Sequence, residues 1–122
     1  MKKIVSIIVL CTVFSCKDTF TRADRFKQGV FEIPEGKGYK RTLIIRKDSL
    51  QIEKYDKHTD TLRITWKSRF GYTLEMLHPK NAVDEAPIHV KITTIKDNSY
   101  EFEAVIGHSS FVQRGTVIKL SD

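Results

Sequence analysis

Thr61-Leu62-Arg63-Ile64-Thr65-Trp66 alternates polar and apolar residues without a break. Successive side chains of a strand point to opposite faces of its sheet, so Leu62, Ile64 and Trp66 share one face and Thr61, Arg63 and Thr65 the other. The same period of two runs outward from this stretch in both directions. Upstream, Leu43 and Ile45 alternate with Thr42, Ile44 and Arg46, and Leu50 and Ile52 alternate with Gln51 and Glu53. Downstream, Tyr72, Leu74 and Met76 alternate with Thr73 and Glu75, and Ile88, Val90 and Ile92 with His89, Lys91 and Thr93. Tyr100, Phe102, Ala104 and Ile106 then alternate with Glu101 and Glu103. In each alternation the apolar member is read as the inner one.

Two further strands are expected at the ends of this series, over Phe26 to Ile33 and over Phe111 to Leu120, where Gly115 would mark a bend or a bulge. Lys47-Asp48, Asp56 to Thr59, Ser68-Arg69, Lys96 to Asn98 and Gly107 to Ser109 are short enough for hairpin turns. His78 to Pro87 is longer, with Pro near both ends and one helical turn expected over Asn81 to Glu85. Consecutive hairpins make an antiparallel meander. A flat sheet of eight such strands would leave its apolar face and two edges bare, and closure into an up-and-down barrel covers both. The expected fold is therefore all-β, an eight-stranded meander closing into a small barrel, with a sandwich or half-open sheet as the alternative.

The chain has 122 residues, 40% of them hydrophobic and 30% charged, and a formal net charge of +6. One ordinary domain fits that length, and multidomain enzymes and polytopic membrane proteins do not. Met1-Lys2-Lys3 followed by the apolar run Ile4 to Phe14 reads as a signal peptide. The run covers about half of a ~30 Å hydrocarbon core, which takes roughly 20 helical residues to span. Val13-Phe14-Ser15-Cys16 resembles the lipobox of bacterial lipoproteins, in which the cysteine is acylated and the preceding peptide is removed. The only other cysteine, Cys11, lies inside the apolar run, so nothing downstream of Cys16 could pair with it. The alternative is an ordinary secretory signal cut near Ser15.

These features divide the chain into a lipoprotein signal peptide over 1–15, a lipid-anchored tether over 16–25 and a barrel domain over 26–122. Several acyl chains on Cys16 would suffice for stable anchoring, each buried CH₂ adding ~0.8 kcal/mol. The expected location is the bacterial cell envelope, on the outer membrane, with the periplasmic and surface sides both open. Lys17-Asp18 bears a short resemblance to signals that send lipoproteins to the cell surface. Removal of Lys2 and Lys3 with the signal lowers the net charge by two from +6. The remaining surplus is spread along the chain without an aromatic-interleaved patch, so no nucleic-acid partner is expected.

Phe26-Lys27-Gln28-Gly29-Val30-Phe31, Lys47-Asp48-Ser49-Leu50-Gln51-Ile52, Thr59-Asp60-Thr61 leading to Trp66, Leu77-His78-Pro79-Lys80-Asn81 and Gln113-Arg114-Gly115-Thr116-Val117 together resemble a family of small uncharacterised lipoproteins of Bacteroidota-type bacteria. Members of that family often carry the label of DNA topoisomerase IV, an enzyme whose ATPase, cleavage and gate domains could not be housed in 122 residues. Gly29 and Phe31 also resemble the start of the first strand in lipocalin-like domains. These resemblances imply a cell-envelope lipoprotein with a lipocalin-like barrel.

No constellation for catalysis stands out. Gly36-Lys37-Gly38 lacks the third glycine and following helix of a phosphate loop, and Gly107-His108-Ser109-Ser110 lacks the closing glycine of a nucleophile elbow. His58, His78, His89 and His108 have no metal-ligand spacing. The sequence thus points to a non-enzymatic protein without cofactor or metal. Eight strands enclose a space that side chains either fill or leave open for one small ligand. A pocket for a small apolar or amphipathic ligand would be lined by Trp66, Tyr72, Met76, Tyr100 and Phe102. A filled barrel would instead act through its rim loops, His78 to Pro87 above all, as an interaction or inhibitor module for an envelope protein.

Overall fold

The strands identified by alternation pair in chain order in the computed structural model, which describes residues 23–36, 38 and 40–122. They are β1 (Gly29–Ile33), β2 (Thr42–Lys47), β3 (Leu50–Tyr55), β4 (His58–Ser68), β5 (Gly71–Met76), β6 (Ile88–Ile95), β7 (Ser99–Ile106) and β8 (Gln113–Ser121). Every pairing is antiparallel, and β8 returns to β1, so the meander closes into a barrel with no free edge. The expected signal peptide, Cys16 and most of the expected tether lie outside the described residues.

The joint between β1 and β8 depends on Gly29. Its φ of +125° lies in a region that L side chains rarely adopt, and a Cβ there would stand 2.5 Å from the Ser121 carbonyl oxygen. The register between these strands slips beyond Val30, where Ser121 faces Val30 but Lys119 faces Phe31. That irregularity sits at the closure of the barrel. Gly115, expected at a bend or bulge, instead pairs in unbroken register with Phe102. Asp48 and Asp56 take positive φ at their hairpin tips, a conformation that Asp tolerates.

An up-and-down barrel presents its connections alternately at two ends. The β2–β3, β4–β5 and β6–β7 turns gather at one end together with residues 23–28, and this end is closed. Phe26 is fully buried there, its ring 5.1 Å from Tyr100 and 6.3 Å from Phe31. The Arg25 guanidinium donates to the Lys96 carbonyl at 2.8 Å, and Lys119 Nζ donates to the Arg25 carbonyl at 2.6 Å. Ala23 is buried as well, so the described part of the expected tether packs onto the barrel. Phe26 lies ahead of β1, which starts at Gly29, and serves as a plug across the barrel floor.

The other end carries residues 34–36, 38, 40 and 41, the β3–β4 turn, residues 77–87 and residues 107–112. The expected helical turn is α1 (Ala82–Glu85), capped by Asn81, whose side chain accepts from the Asp84 amide at 2.9 Å. Gly107 N–H donates to the Pro87 carbonyl at 2.7 Å, tying this loop to the β7–β8 loop.

Parity follows the sequence reading in β4 to β7, where Leu62, Ile64, Tyr72, Leu74, Val90, Ile92, Tyr100, Phe102 and Ala104 form the core with Phe31, Ile44 and Val117. In β2 and β3 it is reversed. Ile44, Arg46 and Gln51 are buried, whereas Leu50 is exposed and Leu43, Ile45 and Ile52 are only half-buried. Val30, Ile45 and Ile52 line up across β1, β2 and β3 as an outer apolar row. Cross-strand packing of that kind stabilises a sheet face without enclosing it.

Candidate binding site in the barrel

Reversal of the β2–β3 parity puts Arg46, Gln51 and Glu53 on the inner wall, since Arg46 pairs with Gln51 and Ile44 with Glu53. A buried arginine requires partners for its donors. Arg46 finds them on three strands and on the segment ahead of β1. Its Nε donates to Gln51 Oε1 at 2.8 Å, Nη1 to the Phe26 carbonyl at 2.9 Å, and Nη2 to the hydroxyls of Tyr100 at 2.7 Å and Tyr72 at 3.0 Å. The two hydroxyls are themselves 2.7 Å apart. The guanidinium carbon lies 4.8 Å from the Phe31 ring centre and 4.9 Å from that of Tyr72, within cation–π range.

This network fills the lower half of the barrel. Burial pushes the Tyr72 hydroxyl well above the ordinary tyrosine pKa, its neighbour Tyr100 adds to the rise and Arg46 opposes it. For Arg46 burial disfavours the charge, but Tyr100 and Tyr72 outweigh it and raise its pKa. The guanidinium is therefore charged at any physiological pH.

Above the network the barrel is hollow. A cavity of about 180 Å³ is bounded by Leu74, Ile88, Val90, Phe102, Ala104 and Val117, and by Ile33 and Ile44 interspersed with Thr42, Gln51, Glu53 and Gln113, with Tyr72 at its floor. Ile33 ends its strand, and Thr42, Ile88 and Gln113 begin theirs, so the cavity reaches the open end. Most of its lining is apolar, with a few polar side chains among it, the composition of a small-ligand site. Two wider depressions, on the outer wall beside Glu103 and Arg114 and at the closed end beside Asp24 and Lys27, are bordered mostly by polar side chains and lie outside the barrel.

Gln51 couples the two halves, accepting from Arg46 and donating from Nε2 to Glu53 Oε1 at 2.8 Å. Burial raises the Glu53 pKa; the Gln51 hydrogen bond opposes this, Asp60 across the β3–β4 pair adds to it, and Arg46 opposes it. Tyr55 donates to Asp60 Oδ2 at 2.7 Å, and that bond is the main reason its own pKa is pushed up to about 12.

The residues expected to line a pocket are divided among three places. Tyr72 and Phe102 border the cavity. Tyr100 is buried beneath it with its hydroxyl on Arg46, and Trp66 packs 4.8 Å from the Tyr72 ring. Met76 lies beside a smaller hollow of about 90 Å³ between the barrel and α1, with Val83, Ala86 and Ile106. The polar wall of Arg46, Gln51 and Glu53 escaped the sequence reading because Leu43, Ile45, Leu50 and Ile52 supply the stronger apolar alternation. A hint lay in the short Asp48-Ser49 turn, which places Arg46 opposite Gln51 and gives the polar parity a consistent register.

No protein-family model, curated protein or solved structure matches the chain. Among the described residues no helix is long and apolar enough to cross a membrane. Among the same residues no three His, Cys, Asp or Glu side chains gather as a metal site. His89, on the outer face of β6, lies with Nδ1 3.3 Å from the Thr73 hydroxyl.

Proposed function

We propose that this chain is a membrane-anchored envelope lipoprotein that binds a small amphipathic molecule, without chemical conversion, in the cup at the open end of its barrel. The carrying observation is the cavity of about 180 Å³, lined mostly by apolar side chains with Thr42, Gln51, Glu53 and Gln113 among them. Close packing is the rule for protein interiors, and a hollow of this size in a barrel this small forgoes dispersion contacts that larger side chains would have made. The volume also limits the occupant. Drug-sized ligands occupy roughly 300 to 1,000 Å³, whereas about 150 Å³ is enough for benzene. The ligand is accordingly of about one ring's size, well short of a phospholipid or a fatty acid.

The anchor is argued from the basic start, the apolar run and the residues leading to Cys16. Lys17 to Arg22 would reach at most about 22 Å. A lipid on Cys16 would thus hold the closed end, where Ala23 packs, towards the bilayer and leave the cup facing away.

Native mass spectrometry of the full-length chain, extracted from its host membrane in neutral detergent, tests both parts. The expected result is a Cys16 carrying acyl chains and a small adduct that Val90→Trp, which fills the cavity, no longer retains. An unmodified Cys16 would overturn the anchor. A wild-type barrel that stays empty after exposure to host extracts would overturn the binding reading. A second reading, docking of an envelope protein on the rim, is favoured by Val83 and Phe111, which are 69% and 73% exposed on the open-end loops. Crosslinking from positions 83 and 111 in intact cells would then capture one reproducible partner.

A further inference from the structure

The polar wall of the cup favours one charge type. Its donors are largely spent within the protein: Thr42 Oγ1 donates to the Lys40 carbonyl at 3.0 Å, Gln51 Nε2 donates to Glu53, and the Tyr72 hydroxyl is engaged with Arg46 and Tyr100. Glu53 uses Oε1 for the Gln51 bond, and among the described residues Oε2 accepts none. The cup therefore offers a carboxylate oxygen and the Gln113 amide to whatever enters it.

Formal charge points the same way. Arg46 does not border the cavity; Gln51 and Tyr72 stand between them, and its other donors turn to Phe26 and Tyr100. Asp60 faces Glu53 across the β3–β4 pair and adds a second negative charge on the same wall. At the open end Lys40 is held by Asp56 and Arg41 by Glu32. Among the described residues Glu53 is thus the one charged side chain that borders the hollow, which it shares with Leu74, Val90 and Phe102.

We propose that the cup selects a small organic cation, a protonated amine whose apolar body is about the size of one six-membered ring. This rests on the binding reading above and names the ligand class. The ammonium group would donate to Glu53 Oε2 and the Gln113 side-chain oxygen while the body lies against Leu74, Ile88 and Val90. A cation at that point offsets the cost of holding a carboxylate away from bulk water and relieves its repulsion with Asp60. An anionic ligand would add a third negative charge to the wall. A neutral alcohol could donate to Glu53 but would bring no charge to it.

Calorimetric titration of the full-length chain in neutral detergent with benzylammonium, benzyl alcohol and benzoate tests this, with amide and methyl NMR shifts locating each probe. Benzylammonium is expected to bind at least about tenfold more tightly than benzyl alcohol, the ratio that corresponds to 1.4 kcal/mol, and benzoate more weakly than either. Glu53→Gln keeps an oxygen for Gln51 to donate to, and should bring benzylammonium down to the affinity of benzyl alcohol. Ala104→Leu, a milder filling change than Val90→Trp, should weaken both. Equal affinities for the three probes, tighter benzoate, or a preference unchanged by Glu53→Gln would overturn the choice of cation while leaving the cup as a binding site. Failure of every probe to shift the Leu74, Ile88 and Val90 signals would overturn the binding reading itself.

Discussion

Arg46 and Glu53 are opposite charges held apart by one glutamine in a barrel of otherwise ordinary composition, and their energetics differ. Arg46 has a hydrogen-bond partner at each of its three nitrogens and stays ionised. Glu53 has one hydrogen bond and a pKa raised by burial. A carboxyl whose folded pKa lies above its unfolded value keeps its proton longer in the native state. Native protein then binds more protons than unfolded protein in the window between the two values, and stability falls as pH rises through that window. The window opens in the ordinary glutamate range and closes at the raised value of Glu53. Glu53→Gln should therefore flatten this part of the pH–stability curve and be more stable than wild type above the window, with little difference below it. Urea unfolding of both proteins at several pH values between 4 and 8 checks the sign, and a Glu53→Gln curve that parallels wild type would contradict it. The same substitution is expected to strengthen the fold and to remove cation preference, a pairing typical of functional groups held at a cost to stability.

The closure between β1 and β8 depends on Gly29. Alanine there would meet the Ser121 carbonyl oxygen at 2.5 Å in a backbone conformation with φ of +125°. Backbone strain of that kind costs of order 1 to 3 kcal/mol, and relief would require the end of β8 to move away. Gly29→Ala should lower the melting temperature by several degrees and increase hydrogen exchange at β8 amides near Lys119 before the rest of the barrel. A melting temperature equal to wild type would show that the joint is looser than its geometry implies. Most of the strand order was legible because alternation and hairpin spacing are local. The parity of β2 was not, because Ile44 sits on the same parity as Arg46 and both faces of the strand carry apolar residues. Local pattern favoured Leu43 and Ile45 as the inner pair. Pairing with β3, whose inner residues are Gln51 and Glu53, kept the same reversed parity across the hairpin.

For the molecule as a whole, the two ends of the barrel have different roles. Phe26 plugs one end, with Arg25 and Lys119 binding the segment down. The other end is open above the cavity. Phe26→Ala should cost about 3 to 5 kcal/mol, as removal of a buried aromatic does, and should free residues 23–28 to exchange their amides. Denaturant unfolding and hydrogen exchange measure the two effects, and a loss under about 1 kcal/mol would show that the barrel closes without its plug. The proposed anchor at Cys16 would place this plugged end nearest the bilayer. By itself the sequence determined the strands, the turns and the meander order, because each depends on the two-residue period or on a short turn. The tertiary structure alone decided that Arg46 points inward, since its partners Phe26, Tyr72 and Tyr100 are 20, 26 and 54 residues away. A buried guanidinium is tolerable only when carbonyl, hydroxyl and aromatic groups converge on it, and that convergence exists only once the sheet has curled shut. The hollow above Arg46 has the same origin: its volume depends on which side chains face one another across the closed barrel, a relation that no single strand contains.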